Sequence, residues 1–416
     1  MKDKRFLSII MLIAILFSTF IRFSSNVFAA GDVPGFVYME MQKYIENNSS
    51  QIKFEDGEYL AGLETLDTKS YDLFLTGEVH ATKKNYDLRF AFLKYLNQNA
   101  NVRYYVAEMD YATSYLINEY LKTGNEEIFK YCYNGLKGSF AGTNEEYKFW
   151  KKVYEYNKSL LNENKITIIG IDVEYEMSLD VLYYIVGKRN NIMPNEIKDT
   201  LFKLYNIFHD FKYSYFKDVM LSLNEDIESK RELYKEFLKD EFEDFEHIVR
   251  NTVFSINYGE NIYPKLGTLN NERENFMCQN FIELSKRFND GKYFGQFGAQ
   301  HIFQDSIGDN IDRLASRIKN SSSKFKNKVC SILYIYQNSK YMDRKTGEPG
   351  DILLTLSNKI NIQDNVLCKF LNNDNIFNKY NFMGVVEDQN TTNYIQYALI
   401  LHDSLACTKF DAHLHN

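Results

Sequence analysis

DLFLTGEVH, residues 72–80, decides how this chain is read. Leu73, Phe74 and Leu75 make a short apolar run of strand type, and the run ends on Gly77, Glu78 and His80. An apolar strand that delivers ionisable residues at its end is the pattern of a parallel sheet, whose strands are buried on both faces. The pattern recurs. YYVAEMD (104–110) delivers Glu108 and Asp110, TIIGIDVEYE (167–176) delivers Asp172 and Glu174, and YFGQFGAQH (293–301) delivers His301. Strands are expected at 72–76, 103–107, 166–171, 292–297 and 329–337, with a further pair near 381–386 and 397–401. Between the first two, Leu88, Ala91, Phe92, Tyr95 and Leu96 recur at helical spacing, which makes a β-α-β unit. Residues 145–161 form a second crossover helix. The expected fold is α/β, a mostly parallel sheet flanked by helices.

From about 178 to 255 strand patterns stop and charges crowd in. Ile227, Tyr234, Phe237, Leu238, Phe245 and Val249 mark one face of a long helix. This is expected to be a helical insertion capping the carboxyl ends of the strands. No glycine- or proline-rich linker bounds it, so residues 30–416 are read as one domain. Residues 340–350, with Gly347, Pro349 and Gly350, are expected as a loop.

Composition narrows the function classes. The 416 residues are 44% hydrophobic and 25% charged, with 32 Tyr and 32 Phe, which excludes wholesale disorder. A net charge of −7 disfavours a nucleic-acid binder and favours a small-molecule or peptide substrate held in a pocket. Lys2, Lys4 and Arg5 precede the apolar run 6–17, and Val27-Phe28-Ala29-Ala30 supplies small residues for cleavage. Residues 1–29 therefore read as a secretory signal peptide cut near Ala29, with no stable membrane anchor left afterwards. Its removal takes away four basic residues and one acidic one, and lowers the net charge from −7 to −10. Cys132, Cys278, Cys330, Cys368 and Cys407 are odd in number and lack a C-x-x-C pair, and buried thiols are the plainer reading.

In an open α/β sheet the carboxyl ends of the strands form the ligand crevice, so the four polar strand ends should converge in space. Two of them carry G-x-x-H, as Gly77-Glu78-Val79-His80 and Gly298-Ala299-Gln300-His301. A neutral imidazole can take a proton from water, and a carboxylate bonded to it fixes its tautomer; this is hydrolytic chemistry. The same set, His80, Glu108 and His301, could instead hold a divalent metal, and the residue types alone do not choose. On the helix expected at 271–288, Arg273, Met277, Asn280 and Leu284 share a face, and Arg273 could hold a substrate oxyanion or pair with Glu108 or Asp172. His209, His247 and His402 read as core or surface residues. His413 and His415, with Asp411, read as a frayed terminus.

Taken in order, GEVHATKKN (77–85), VAEMD (106–110), NKITIIGIDVE (164–174), NNERENFMCQNFIEL (270–284) and YFGQFGAQHI (293–302) resemble one superfamily. It contains the erythromycin esterases, the ChaN-type haem-uptake proteins and the Tiki/TraB-like proteins. The resemblance to the esterases implies metal-free opening of an ester by activated water. By matching motif it makes Glu78, His80, Glu108 and His301 the catalytic group and Arg273 the helix arginine; Arg273 and, from its own strand end, Asp172 are expected on the substrate side. One departure is local: the esterases place two residues between the Glu and the His, where this chain has only Val79. That spacing is closer to ChaN, and paired G-x-x-H motifs with an intervening Glu resemble the Tiki-like metalloproteases. Three expectations follow: an exported hydrolase of ester or related acyl bonds, a divalent-metal peptidase, and a haem or small-ligand binder without turnover.

Overall fold

The computed structural model describes residues 35–411 apart from 56–57, 137, 175–176, 190, 210–212, 263–269, 353–360, 371–374, 381 and 383–389. The expected leader at 1–29, the terminal His413 and His415, and all but one residue of the strand expected at 381–386 lie outside the described residues.

Eight strands form the main sheet: β1 (Ser49–Gln51), β2 (Leu73–Glu78), β3 (Val102–Asp110), β4 (Thr167–Asp172), β5 (Lys292–Gly298), β6 (Val329–Gln337), β7 (Val366–Lys369) and β8 (Tyr397–His402). Their order is β1-β7-β8-β6-β2-β5-β3-β4. The six from β8 to β4 are parallel, while β7 runs against β8 and β1 against β7. Every residue of β2 is buried, as are eight of nine in β6, which accounts for their near-continuous apolar sequence.

The helices that cover the sheet begin and end on local signals. They are α1 (Gly35–Asn48), α2 (Lys84–Ala100), α3 (Tyr111–Thr123), α4 (Glu126–Gly135) and α5 (Asn144–Ser159) before the insertion. Asp110 caps α3 by accepting from Thr113 N at 2.6 Å, and the helix stops at Gly124, whose φ of 70° suits glycine. Thr143 caps α5 in the same way, accepting from Glu146 N at 3.1 Å.

The insertion consists of α6 (Met177–Gly187), α7 (Asn195–His209), α8 (Tyr213–Ser229), α9 (Arg231–Leu238) and α10 (Phe242–Ile262). The single long helix expected across 227–249 is therefore three pieces. The chain leaves helical geometry at Lys230 and again at Lys239, where φ is 57°. The apolar residues that suggested one face are all buried, but on three packed helices. α10 lies along α3, with the rings of Tyr111 and His247 4.5 Å apart. It reaches the carboxyl end of β4, where Ser255 accepts from the Glu174 backbone N–H at 2.8 Å. The helix expected at 271–288 is α11 (Asn271–Arg287), and α12 (Leu314–Asn320) follows β5.

Two late segments differ from expectation. Residues 340–350, expected as a loop, include a hairpin in which Lys340–Met342 pairs with Pro349–Asp351. The turn between them is held by Asp343, which accepts from Thr346 N at 2.8 Å. The partner of β8 opposite β6 is β7, a four-residue strand too short to show in the pattern.

One continuous cluster of buried side chains runs through the sheet and the insertion. Each Leu, Ile or Phe in it contributes about 1.5–3 kcal/mol relative to exposure. All five cysteines are buried and unbridged. No helix among the described residues is long and apolar enough to cross a membrane.

A buried ion pair joins α2 to α5: Arg89 Nη2 lies 2.7 Å from Glu146 Oε2, with the guanidinium 3.7 Å from the Phe149 ring centre. Arg89→Ala leaves Glu146 charged and alone in the core, and is expected to cost about 3–5 kcal/mol. Urea unfolding of Arg89→Ala and of the double variant Arg89→Met, Glu146→Leu checks this, and the double variant should recover most of the loss.

Candidate functional site

The site sits at the carboxyl ends of β2, β5 and β3, which are consecutive in the sheet. β2 ends on Glu78, and two residues later His80 turns back so that its Nδ1 lies 2.9 Å from Glu78 Oε1. Ala81 then adopts a left-handed φ of 59°. That turn is tied down by two distant backbone donors, since Ala81 O accepts from Met342 N and from Cys407 N, each at 3.0 Å. The His80 ring stacks on Phe140 at 5.2 Å and keeps 29% of its side chain exposed.

Glu108 is aimed by a bulge. Ala107 pairs with Gly170 and Asp110 with Asp172, so β3 fits three steps against two of β4. The bulged backbone presses on Gly170, where an added Cβ would lie 2.2 Å from Asp110 O. Only glycine tolerates that approach. The redirected carboxylate of Glu108 accepts from Gly298 N at 2.8 Å and from Arg273 Nη2 at 3.1 Å.

Arg273 enters from the first turn of α11. Asn270 caps that helix, accepting from Glu272 N and Arg273 N, and so fixes where the first turn points. The buried guanidinium forks onto Asp172, with Nε 2.9 Å from Oδ1 and Nη2 on Oδ2. His301 lies in a short 3-10 turn after β5. Its Nε2 is 3.1 Å from Glu108 Oε1, and its Nδ1 is 2.6 Å from Glu274 Oε1, an ion-pair contact at an angle unlike that of a hydrogen bond.

These contacts set the charge states. Burial opposes a charge on His301, but the carboxylates of Glu274 and Glu108 outweigh it and raise the imidazole to about 9. His80 is likewise raised above its ordinary value: burial lowers it, and the hydrogen bond to Glu78 and the charge of Glu108 more than compensate. Glu108 is held well below the usual carboxylate range, because His301, His80 and Arg273 together overcome its burial.

Of the residues singled out in the sequence, Glu78, His80, Glu108, Asp172, Arg273 and His301 are brought together. Asp110 and Glu174 are close by but serve α3, Asp110 as its cap and Glu174 by accepting from Tyr111 N and Ala112 N. Burial raises Asp110 to about 6. Sequence reading missed Glu274, one residue past Arg273 and completely buried, as well as Phe140 and Gln296. Glu274 had a signal, an acid inside the NNEREN segment on a buried helix face.

A metal ion does not fit the set His80, Glu108 and His301. Both Glu108 oxygens are engaged, both His301 nitrogens face carboxylates, and the guanidinium of Arg273 supplies the positive charge within 3.1–3.5 Å of Glu108 and His301. No group of three His, Cys, Asp or Glu side chains among the described residues has the geometry to hold a metal.

No family profile and no curated protein matches the chain. Solved structures do. A protein from Bacillus cereus superposes with a TM-score of 0.68 at 13% identity, covering 90% of this chain and 99% of its own. A succinoglycan biosynthesis protein gives 0.67 at 15% identity, with coverage of 91% and 100%. A mutant of erythromycin esterase EreC, in its open conformation, gives 0.55 at 11% identity, with coverage of 84% and 95%. The haem-binding ChaN of Campylobacter jejuni reaches only 0.28, too low to speak for a shared fold. At these identities the likeness is one of fold, and the chain's fold is distantly like that of the esterase.

The raised His301 makes stability pH-dependent. Its folded value of about 9 exceeds an unfolded value of about 6.5. The stabilisation from its ion pairs is therefore complete below pH about 6.5 and lost as pH rises through about 9. NMR titration of the imidazole protons should place His301 near 9 and lower it in Glu274→Gln, while buried His247 stays below its ordinary value.

Proposed function

We propose that this chain is an exported hydrolase that opens an ester or related acyl bond with water activated by His80. The observation that carries the reading is the gap between His80 Nε2 and Glu108 Oε2. At 3.9 Å it is too long for a hydrogen bond and short enough for one water to bridge. The gap exists because residue 298 is glycine: a Cβ there would lie 3.0 Å from His80 Nε2 and 3.6 Å from Glu108 Oε2.

In the proposed reaction Glu78 holds the Nδ1 proton of His80, which leaves Nε2 as the base. Nε2 takes a proton from the bridging water while the water oxygen adds to the acyl carbon. The charge on Glu78 and Glu108 stabilises the imidazolium that forms. The His80 imidazolium then returns its proton to the leaving oxygen as the acyl bond breaks, while His301, protonated across neutral pH and enclosed by Glu108 and Glu274, holds Glu108 ionised. Arg273, pinned by Asp172, keeps Glu108 ionised and in place, so its role is positioning. The same engagement of Glu108 and His301 leaves neither side chain free to hold a metal ion or a haem iron. Residues 1–29 are proposed to direct export and to be removed near Ala29, and mass spectrometry of the mature N-terminus tests that step.

Esterase activity on aryl and alkyl acyl esters is the direct assay. His80→Ala should reduce kcat/KM by about 100-fold or more with little change in unfolding midpoint; unchanged turnover would sink the assignment. Gly298→Ala should also lower kcat, because its methyl takes the place of the water. The pH profile of kcat/KM should be bell-shaped, rising as His80 loses its proton above its ordinary value and falling near pH 9 as His301 loses its own. Dialysis against EDTA should leave activity intact, and a loss restored by a divalent cation would favour the metallopeptidase reading instead.

A further inference from the structure

Glu78 is bonded from both sides. One oxygen faces His80, and the other accepts from the side-chain amide of Gln296 on β5. The far end of that amide is also occupied: Gln296 Oε1 accepts from Tyr334 OH on β6 at 3.2 Å and from Thr76 Oγ1 on β2 at 3.4 Å. Gln296, Tyr334, Thr76 and Glu78 are all buried, three of them at 5% exposure or less. Nothing else among the described residues bonds to the side chain of Gln296.

Donor and acceptor chemistry gives this chain a direction. Tyr334, raised far above its ordinary value by burial, keeps its proton throughout the working pH range and remains a donor. The outer end of the amide meets a carboxylate, which only accepts, so that end is the NH2 and the inner end is the oxygen that takes both hydroxyl protons. A carboxylate facing an NH2 is an acceptor and has no use for a proton on that oxygen. Its second oxygen then accepts as well, so the proton between Glu78 and His80 sits on Nδ1.

We infer that Gln296 is a positioning residue that sets the tautomer of His80: the run Tyr334 and Thr76 to Gln296 to Glu78 to Nδ1 leaves Nε2 as the unprotonated nitrogen. It deepens the hydrolase reading and rests on it for its catalytic consequence, although the tautomer itself is measurable without substrate.

Nitrogen-15 NMR of the neutral imidazoles is the decisive experiment, read on the full chain above the His80 midpoint. The wild-type protein should show His80 protonated on Nδ1 alone. Gln296→Leu should give a mixture of tautomers and lower kcat by about tenfold or more, with KM changed less than about twofold. Thr76→Val with Tyr334→Phe releases the inner end of the amide and should move the same resonance, which provides a readout should Gln296→Leu fail to fold. A wild-type tautomer signal in either folded variant overturns the inference. If the wild-type chain hydrolyses no ester while the variants shift the tautomer, the hydrolase reading fails and the role of Gln296 stands.

Discussion

The carboxylate of Glu108 is the point on which the site depends. A buried charge is tolerable only when it is paired and hydrogen-bonded, and Glu108 draws its partners from two stretches more than 160 residues away in sequence. Arg273 comes from a helix start, His301 from the turn after β5, and the Gly298 N–H from the end of that strand. Each partner is then fixed by a second one, Arg273 by Asp172 and His301 by Glu274. The result is alternating charge in a confined volume, where neutralising one member exposes its neighbour. The two histidines within reach of the same carboxylate accordingly have different surroundings. His301 is enclosed between acids, whereas His80 touches Glu108 only across a gap and remains partly exposed.

Much of this was legible in the sequence because parallel strands carry their chemistry at their ends. Apolar runs that stop on Glu78, Glu108, Asp172 and the turn at His301 located both the sheet and the crevice. What stayed hidden was set by side-chain direction and by register. The bulge that turns Glu108 inward inserts one extra residue in β3, and VAEMD looks the same with or without it. Gln296 sits inside a strand and reads as a neutral polar interruption until Tyr334 and Thr76 are seen around it. Asp110 and Glu174 carried the same signal as the site residues, yet they satisfy the open end of α3.

The helical insertion shows the opposite failure. Its apolar spacing persisted through two breaks, since the segments on either side of Lys230 and Lys239 pack against the same core. Periodicity reports which side of a segment is buried, and two helices meeting at a corner can share one buried side. Similar architecture at 11–15% identity in the solved structures fits this picture. A sheet of this kind asks for apolar strands and polar ends, and few individual residues are obliged to stay the same.

The turn that carries His80 has a bearing on how the molecule is made. Glu78, His80 and Glu108 leave the ribosome early, but the backbone donors that hold Ala81 belong to residues 342 and 407. Synthesis at about 5–20 residues per second puts tens of seconds between His80 and the last of these. Through that interval the imidazole lacks the clamp behind it. The geometry around His80 is therefore among the last features of the fold to be completed.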